Sequence, residues 1–187
     1  MGERLLALAT EHEFSLWSGA AHVLLHVRIE PRPDAEMLIE VRRRLDPLGT
    51  RGGAWRHAFS LCVLAELYAE ASLPAEALGV LASIPANGRE AFYAPEIHRI
   101  EGEFLLQRST SAADDAEHCF RTALDLAGRR QEKSLELRAA TSLARLWQRQ
   151  GKRDDARRLL GDVYGWFTEG FSTADLRAAK ALLDEMS

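Results

Sequence analysis

The chain is poor in the residues that build sheets, covalent staples and membrane spans. Of 187 residues only two are cysteine, Cys62 and Cys119, and they lack CxxC spacing. That is too few for a disulfide framework and favours two buried thiols in a reducing cytosol over a single disulfide. Val, Ile, Thr and Tyr are scarce, and no segment alternates apolar and polar residues with period two, so no sheet is expected. No uncharged apolar run approaches the ~18–20 residues of a membrane helix. The opening MGERLLALATEH carries acidic residues early and has no cleavage site, which is unlike a signal peptide. Leu6 stands where a myristoylation signal needs Ser or Thr. A net charge of −4 and a pI near 5.9 give no global field for nucleic acid or an anionic membrane. The expected setting is the cytoplasm, with neither nucleic acid nor membrane as a partner.

Catalytic and ligand-binding signatures are missing too. His22 and His26 have metal-compatible i, i+4 spacing but lack the following Glu of HExxH and a third ligand. His12, His57, His98 and His118 are scattered. GTRGG at 49–53 lacks the spacing and the lysine of a phosphate loop and follows no strand, so it reads as a turn. There is no GxSxG elbow and no Cys–His spacing that supports a nucleophile. No active site, metal or cofactor is expected, and the chain is not read as an enzyme. The clusters Arg42–Arg44, Arg129–Arg130 and Arg157–Arg158 have acids interspersed and read as solvated helix faces.

What is abundant is Leu, Ala, Glu and Arg, which favour helix nearly everywhere. Pro31 and Pro33, Pro47 with LGTRGG, and Pro85 with Asn87-Gly88 break the chain. Pro74 and Pro95 instead precede periodic apolar segments and suit a first helical turn. Ser111/Asp114 and Ser172/Asp175 have the spacing of capping boxes. Helices are expected at 3–12, 14–29, 34–46, 54–71, 74–84, 93–108, 112–130, 134–150, 154–168 and 173–186.

These segments repeat. LAELYAEASLPAEALGVL at 64–81 aligns without a gap on LARLWQRQGKRDDARRLL at 143–160, an offset of 79. Leu64/Leu143, Ala65/Ala144, Leu67/Leu146, Ala77/Ala156 and Leu81/Leu160 are identical, and Tyr68 matches Trp147. Extended to Ser72/Gly151 and Ile84/Val163, the spacing is that of a tetratricopeptide unit, L-G-x-x-Y followed by A-x-x-x-F. The small residues mark where two helices cross closely, and Leu, Tyr and Trp fill the wedge between units. A third unit, 93–130, has Gly102 and Leu105 in its first helix and Ala116, Phe120 and Ala123 in its second. Its first-helix register is open by one, because Ile97, Ile100 and Phe104 also form a stripe. The segment 14–46 is degenerate, with apolar stripes at His22–His26 and at Leu38, Val41 and Leu45 but no clear small-residue positions.

The expected fold is therefore all-α, a tetratricopeptide-like superhelix forming one domain over 1–187. A half repeat at 1–12 precedes helix pairs at 14–46, 54–84, 93–130 and 134–168, and 173–186 caps the stack. Tyr164, Trp166, Phe167 and Phe171 are expected to hold the cap, with Asp175, Arg177, Lys180, Asp184 and Glu185 on its wet side. The opening half repeat suggests a piece of a longer array.

In such a stack the first helix of each pair lines a concave groove where partners are selected. The register projects Phe59, Glu66 and Glu70 from one unit, Arg99 and Glu103 from the next, and Arg138, Thr141, Arg145, Gln148 and Arg149 from the last. The groove would run from acidic to basic. It would hold a protein or peptide, contact other domains of the same parent protein, or stand as a bare helix face. The lysine and asparagine clamp of some tetratricopeptide co-chaperones does not fit, since Asn87 is the single Asn and Lys133, Lys152 and Lys180 the only lysines.

The runs EIHRIEGEFLLQ at 96–107, AEHCFRTALDLA at 116–127 and 134–186, ending YGWFTEGFSTADLRAAKALLDE, resemble the C-terminal end of large bacterial regulators. Those proteins join a STAND/AAA-type NTPase domain to a tetratricopeptide array, many of them behind an adenylate/guanylate cyclase domain. The resemblance implies a regulatory, protein-binding C-terminal region, with any cyclase or ATPase chemistry in upstream domains. A free-standing adaptor for a separate partner's peptide or helix is the alternative.

Overall fold

Apolar periodicity settles into helices throughout the residues that the computed structural model describes, 35–45, 54–86 and 93–187. Eight α-helices and one 3-10 turn appear among them, and no strand. The expected helices at 3–12 and 14–29, the GTRGG segment and the His22/His26 pair lie outside the described residues. The chain divides into two compact units, 1–93 and 94–187.

In the first unit α1 is Ala35–Leu45, α2 Ala54–Glu70 and α3 Pro74–Ala82. Leu38, Val41 and Leu45 form the buried stripe of α1, which packs on α2. Pro74 opens α3, where its missing N–H costs nothing. Ala65 and Ala77 are fully buried where α2 and α3 pack together, so neither could carry a larger side chain without a shift.

The second unit contains α4 Ala94–Arg108, a 3-10 turn Thr110–Ala112, α5 Ala113–Arg130, α6 Lys133–Arg149, α7 Arg153–Tyr164 and α8 Ala174–Glu185. Each helix packs on the next, and α4, α6 and α8 also touch one another in succession. Leu137, Ala140, Ala144, Ala156, Leu160 and the α8 residues Leu176, Ala179 and Leu182 make one core cluster. Ala116, Phe120, Leu143 and Leu146 make a second. Trp147 packs against both while remaining partly exposed, so it is a wedge that is only half enclosed. Gly102 is needed for close approach, because a Cβ there would stand 2.6 Å from Phe120 Cε1. The stripe Ile97, Ile100 and Phe104 is buried as well, while Leu105 is only partly so.

Three helix stops share one construction. Leu73 N–H donates to Tyr68 O at 2.9 Å, Lys152 N–H to Trp147 O at 2.9 Å and Glu132 N–H to Ala127 O at 3.0 Å. The residue before each donor, Ser72, Gly151 or Gln131, has positive φ. This six-to-one closure satisfies a terminal carbonyl and reverses the chain within a few residues.

Helix starts depart from the sequence reading. The Ser111/Asp114 box does not form: Ser109 Oγ accepts from Ser111 N–H and starts the 3-10 turn, and Ala112 stands at the N-cap of α5 with no side-chain bond. The Ser172/Asp175 box is absent too, with Thr173 at the N-cap and no side-chain bond. In each case a neighbouring residue takes the cap position, which removes the box geometry. Helix α7 ends at Tyr164 rather than 168, where Gly165 and two tight turns bring Phe167 back toward the core. Tyr164 and Phe167 pack under α8, whereas Trp166 and Phe171 are 58% and 47% exposed. Half of the expected aromatic anchor is therefore on the surface.

Candidate functional site

The charged face shared by α4, α6 and α8 is organised around one buried acid. Glu96, in the first turn of α4, is 1% exposed, a position an unpaired carboxylate could not hold. Arg99 sits three residues on and donates from Nε to Glu96 Oε2 at 3.0 Å and from Nη2 to Oε1 at 2.7 Å. Arg138 of α6 reaches the same Oε1 at 2.7 Å. The forked Arg99 contact fixes the carboxylate plane, and the Arg138 contact joins α4 to α6. One turn further, Glu103 lies 3.7 Å from Arg99 Nη1 and accepts from Ser142 Oγ at 2.6 Å.

These residues wall a cleft of about 150 Å³ lined by Arg99, Arg138, Thr141, Ser142, Arg145 and, from α8, Asp175. Four residues projected from the sequence, Arg99, Arg138, Thr141 and Arg145, thus come together. Thr141 is buried and its hydroxyl donates to Leu137 O at 2.7 Å, so it shapes the wall more than it offers a donor. Arg145 is exposed and, among the described residues, has no ion pair or hydrogen bond. Asp175 is likewise exposed and unpaired among them. The two line one cleft with opposite charge and do not meet.

The remaining projected residues lie elsewhere. Glu103 braces the wall through Ser142 and Arg99. Gln148 Nε2 donates to Glu185 Oε2 of α8 at 3.4 Å, and Arg149 is exposed without an ion pair among the described residues. Phe59, Glu66 and Glu70 belong to the first unit. There Phe59 is 44% exposed and meets Tyr93 edge-on at 5.2 Å, Glu66 is half-buried and Glu70 exposed.

Sequence reasoning missed Glu96, Ser142 and the place of Asp175 in the cleft. The Glu-x-x-Arg-x-x-x-Glu spacing of 96, 99 and 103 was the available signal, since i, i+3 and i, i+4 pairs share a helix face.

A larger cleft of about 480 Å³ opens among α5, α6 and α7, beside Arg121, Trp147, Lys152, Arg158 and Leu159. Its cations are occupied. Glu117 binds Arg121 Nη2 at 2.8 Å and Lys152 Nζ at 3.5 Å, Asp155 holds Arg158, and Arg121 lies 5.1 Å from the Trp147 ring centroid. Burial would raise the Glu117 pKa, but the hydrogen bond from Arg121, the nearby Trp147 indole N–H and the Lys152 and Arg121 charges bring it below the ordinary carboxylate value.

Among the described residues no other chemistry-bearing cluster stands out. Among the described residues no three His, Cys, Asp or Glu side chains are grouped to hold a metal, and no helix is long and apolar enough to cross a membrane. Cys62 and Cys119 form no disulfide, and burial, with the Glu101 and Asp115 charges adding, pushes Cys119 up to about 11. Such a thiol is protonated at neutral pH and a poor nucleophile. In the basic clusters Arg43 pairs with Glu40, Arg129 with Asp125 and Arg158 with Asp155.

No protein-family model matches the chain, and no curated protein matches its sequence. The functional reading therefore rests on the residues themselves.

Proposed function

We propose that the chain is a tetratricopeptide-like helical array that binds protein. We read it as the C-terminal regulatory part of a larger bacterial signalling protein of the cyclase or NTPase type, working in the cytoplasm without catalytic residues of its own. The array reading is supported by matched closures at Tyr68–Leu73 and Trp147–Lys152, and by the buried small residues Ala65, Ala144 and Gly102. The parent-protein reading rests on the resemblance of residues 96–107, 116–127 and 134–186 alone.

The single observation that carries the binding reading is the cleft on α4, α6 and α8. Residues projected onto the first helices by register alone meet there, and its exposed Arg145 has no partner among the described residues. An exposed, uncommitted cation beside a concavity is available to an acidic group of a partner. Selecting a random peptide library displayed on phage against the full chain tests this. Binders whose affinity falls on Arg145→Glu, with Arg149→Glu as a second probe of the same face, are the expected result. Failure to recover any binder, or binders insensitive to both changes, removes the groove from the reading.

A further inference from the structure

We infer that the α4–α6–α8 cleft recognises a dipolar pair of side chains, one acidic and one basic, on a peptide segment of the partner; this rests on the protein-binding reading above. Size is the first constraint. At about 150 Å³ the cleft falls well below the roughly 300–1,000 Å³ of small-molecule sites, so it admits side-chain heads and not a nucleotide or cofactor.

Charge is the second constraint. The cations at the cleft are Arg99, Arg138 and Arg145, and the anions are Glu96, Glu103 and Asp175. Three of each leave no net field for a dianion such as a phosphoryl group. The balance is not uniform, however. Arg99 is spent on Glu96 and Glu103, and Arg138 holds Glu96 through one Nη2 contact. Glu96 is fully enclosed and Glu103 is engaged by Ser142. The uncommitted groups are therefore a positive pole at Arg145, extended by the free donors of Arg138, and a negative pole at Asp175.

A lone acid would suit Arg145 and meet repulsion at Asp175, and a lone base would meet the reverse. An occupant that offers both satisfies both and rejects like-charged competitors, which is how charge pattern gives specificity. The acidic head forms a forked contact with Arg145, and the basic head sits against Asp175. Because α6 and α8 each supply one pole, the segment lies across the two helices.

The test uses the full chain. Peptides selected from the random library are resynthesised with blocked ends, which removes the terminal carboxylate and amine as sources of charge. Each is made in three forms at the selected pair of positions: Glu with Lys, Glu with Glu, and Lys with Lys. Binding is read by fluorescence anisotropy. The parent chain is expected to prefer the Glu/Lys form by about tenfold. Arg145→Glu should invert the preference to Lys/Lys, and Asp175→Lys should invert it to Glu/Glu. Both residues are exposed and unpaired among the described residues, so both variants are expected to fold, which melting curves check. Binders that show the same rank order on all three chains overturn the dipolar site while leaving the protein-binding reading in place. If the library yields no binder at all, both readings fall together.

Discussion

Ser72 and Gly151, 79 positions apart, occupy the same left-handed backbone position at the end of α2 and of α6, with φ of +66° and +80°. The following amides, Leu73 and Lys152, close onto Tyr68 and Trp147 at the same 2.9 Å. Two turns of different sequence are thus one structure, and only one of them has the residue that this backbone favours.

That difference predicts opposite responses. A glycine adopts positive φ freely, whereas a residue with a Cβ is disfavoured there by roughly 1 kcal/mol. Ser72→Gly should therefore stabilise the chain by about 0.5–1 kcal/mol, and Gly151→Ala should destabilise it by about 1 kcal/mol. A Cβ added at Gly151 would meet nothing within 4 Å, so the second effect is backbone strain and not a clash. Urea denaturation of both variants checks the pair. Destabilisation by Ser72→Gly would show that the serine contributes something the turn geometry does not reveal.

Gly102 predicts a clash instead. Alanine normally gains up to about 1 kcal/mol over glycine inside a helix. Here its Cβ would meet the Phe120 ring at 2.6, 2.9 and 3.0 Å, and Phe120 is fully enclosed. Gly102→Ala should then cost about 1–3 kcal/mol, the range of overpacking in a close-packed core. Adding Phe120→Leu should recover part of that loss in a double-mutant cycle.

The register of small and large residues makes much of this legible without coordinates. Ala65, Ala144 and Gly102 are small because helices approach there, and spacing alone marks them. The same register brings Arg99, Arg138, Thr141 and Arg145 onto one face. It cannot show that Glu96 is buried, because Glu-x-x-Arg reads as an ordinary exposed pair until Arg138 arrives from another helix. Asp175 reads as a solvating residue of the last helix, and exposed it is; its place in the cleft follows from α8 lying against α6. The caps are where spacing misleads, since adjacent Ser and Thr residues compete for one position and turn geometry decides among them.

The Glu96 hub predicts unequal costs for its members. Removing Arg138 leaves Glu96 with its forked Arg99 contact, so Arg138→Ala should cost about 1 kcal/mol. Glu96→Ala takes the forked partner from Arg99, whose side chain is 12% exposed and keeps the longer 3.7 Å contact with Glu103, and leaves Arg138 able to turn toward water. About 3 kcal/mol is expected, the lower end for breaking a buried pair. A cycle between Glu96→Gln and Arg138→Met, read by thermal melting, should give a coupling of about 1 kcal/mol. A coupling near zero would mean that Arg99 alone sustains the buried carboxylate.

Trp147 bridges two core clusters yet is half enclosed, which sets its cost below that of a fully buried tryptophan. Trp147→Ala should cost about 2–3 kcal/mol, against ~3–5 for complete enclosure. Its indole Nε1 is buried and makes no hydrogen bond of normal geometry. Trp147→Phe keeps the apolar wedge and removes that unsatisfied donor, so it should cost less than about 1 kcal/mol. Chemical denaturation separates the two. Equal losses for both variants would show that the indole ring's full area, and not simply an apolar filler, is needed.

Glu117 predicts a pH signature. Burial alone would raise its pKa; the hydrogen bond from Arg121, the nearby indole N–H of Trp147 and the charges of Lys152 and Arg121 outweigh that and leave the folded value below the ordinary 4.5. A carboxyl whose pKa is depressed by folding stabilises the native state fully above its unfolded pKa. That contribution is lost as pH falls through the folded value. Glu117→Gln should therefore be less stable than the parent at pH 7. The difference should narrow as pH drops below about 4.5 and continues down past the folded pKa. Lys152→Met should remove only part of it, because Lys152 stands at 3.5 Å while Arg121 holds the carboxylate at 2.8 Å. Melting temperatures of the three chains across roughly pH 3–7 provide the measurement. Parallel curves for parent and Glu117→Gln would mean that the Glu117 ion pairs contribute nothing to folding.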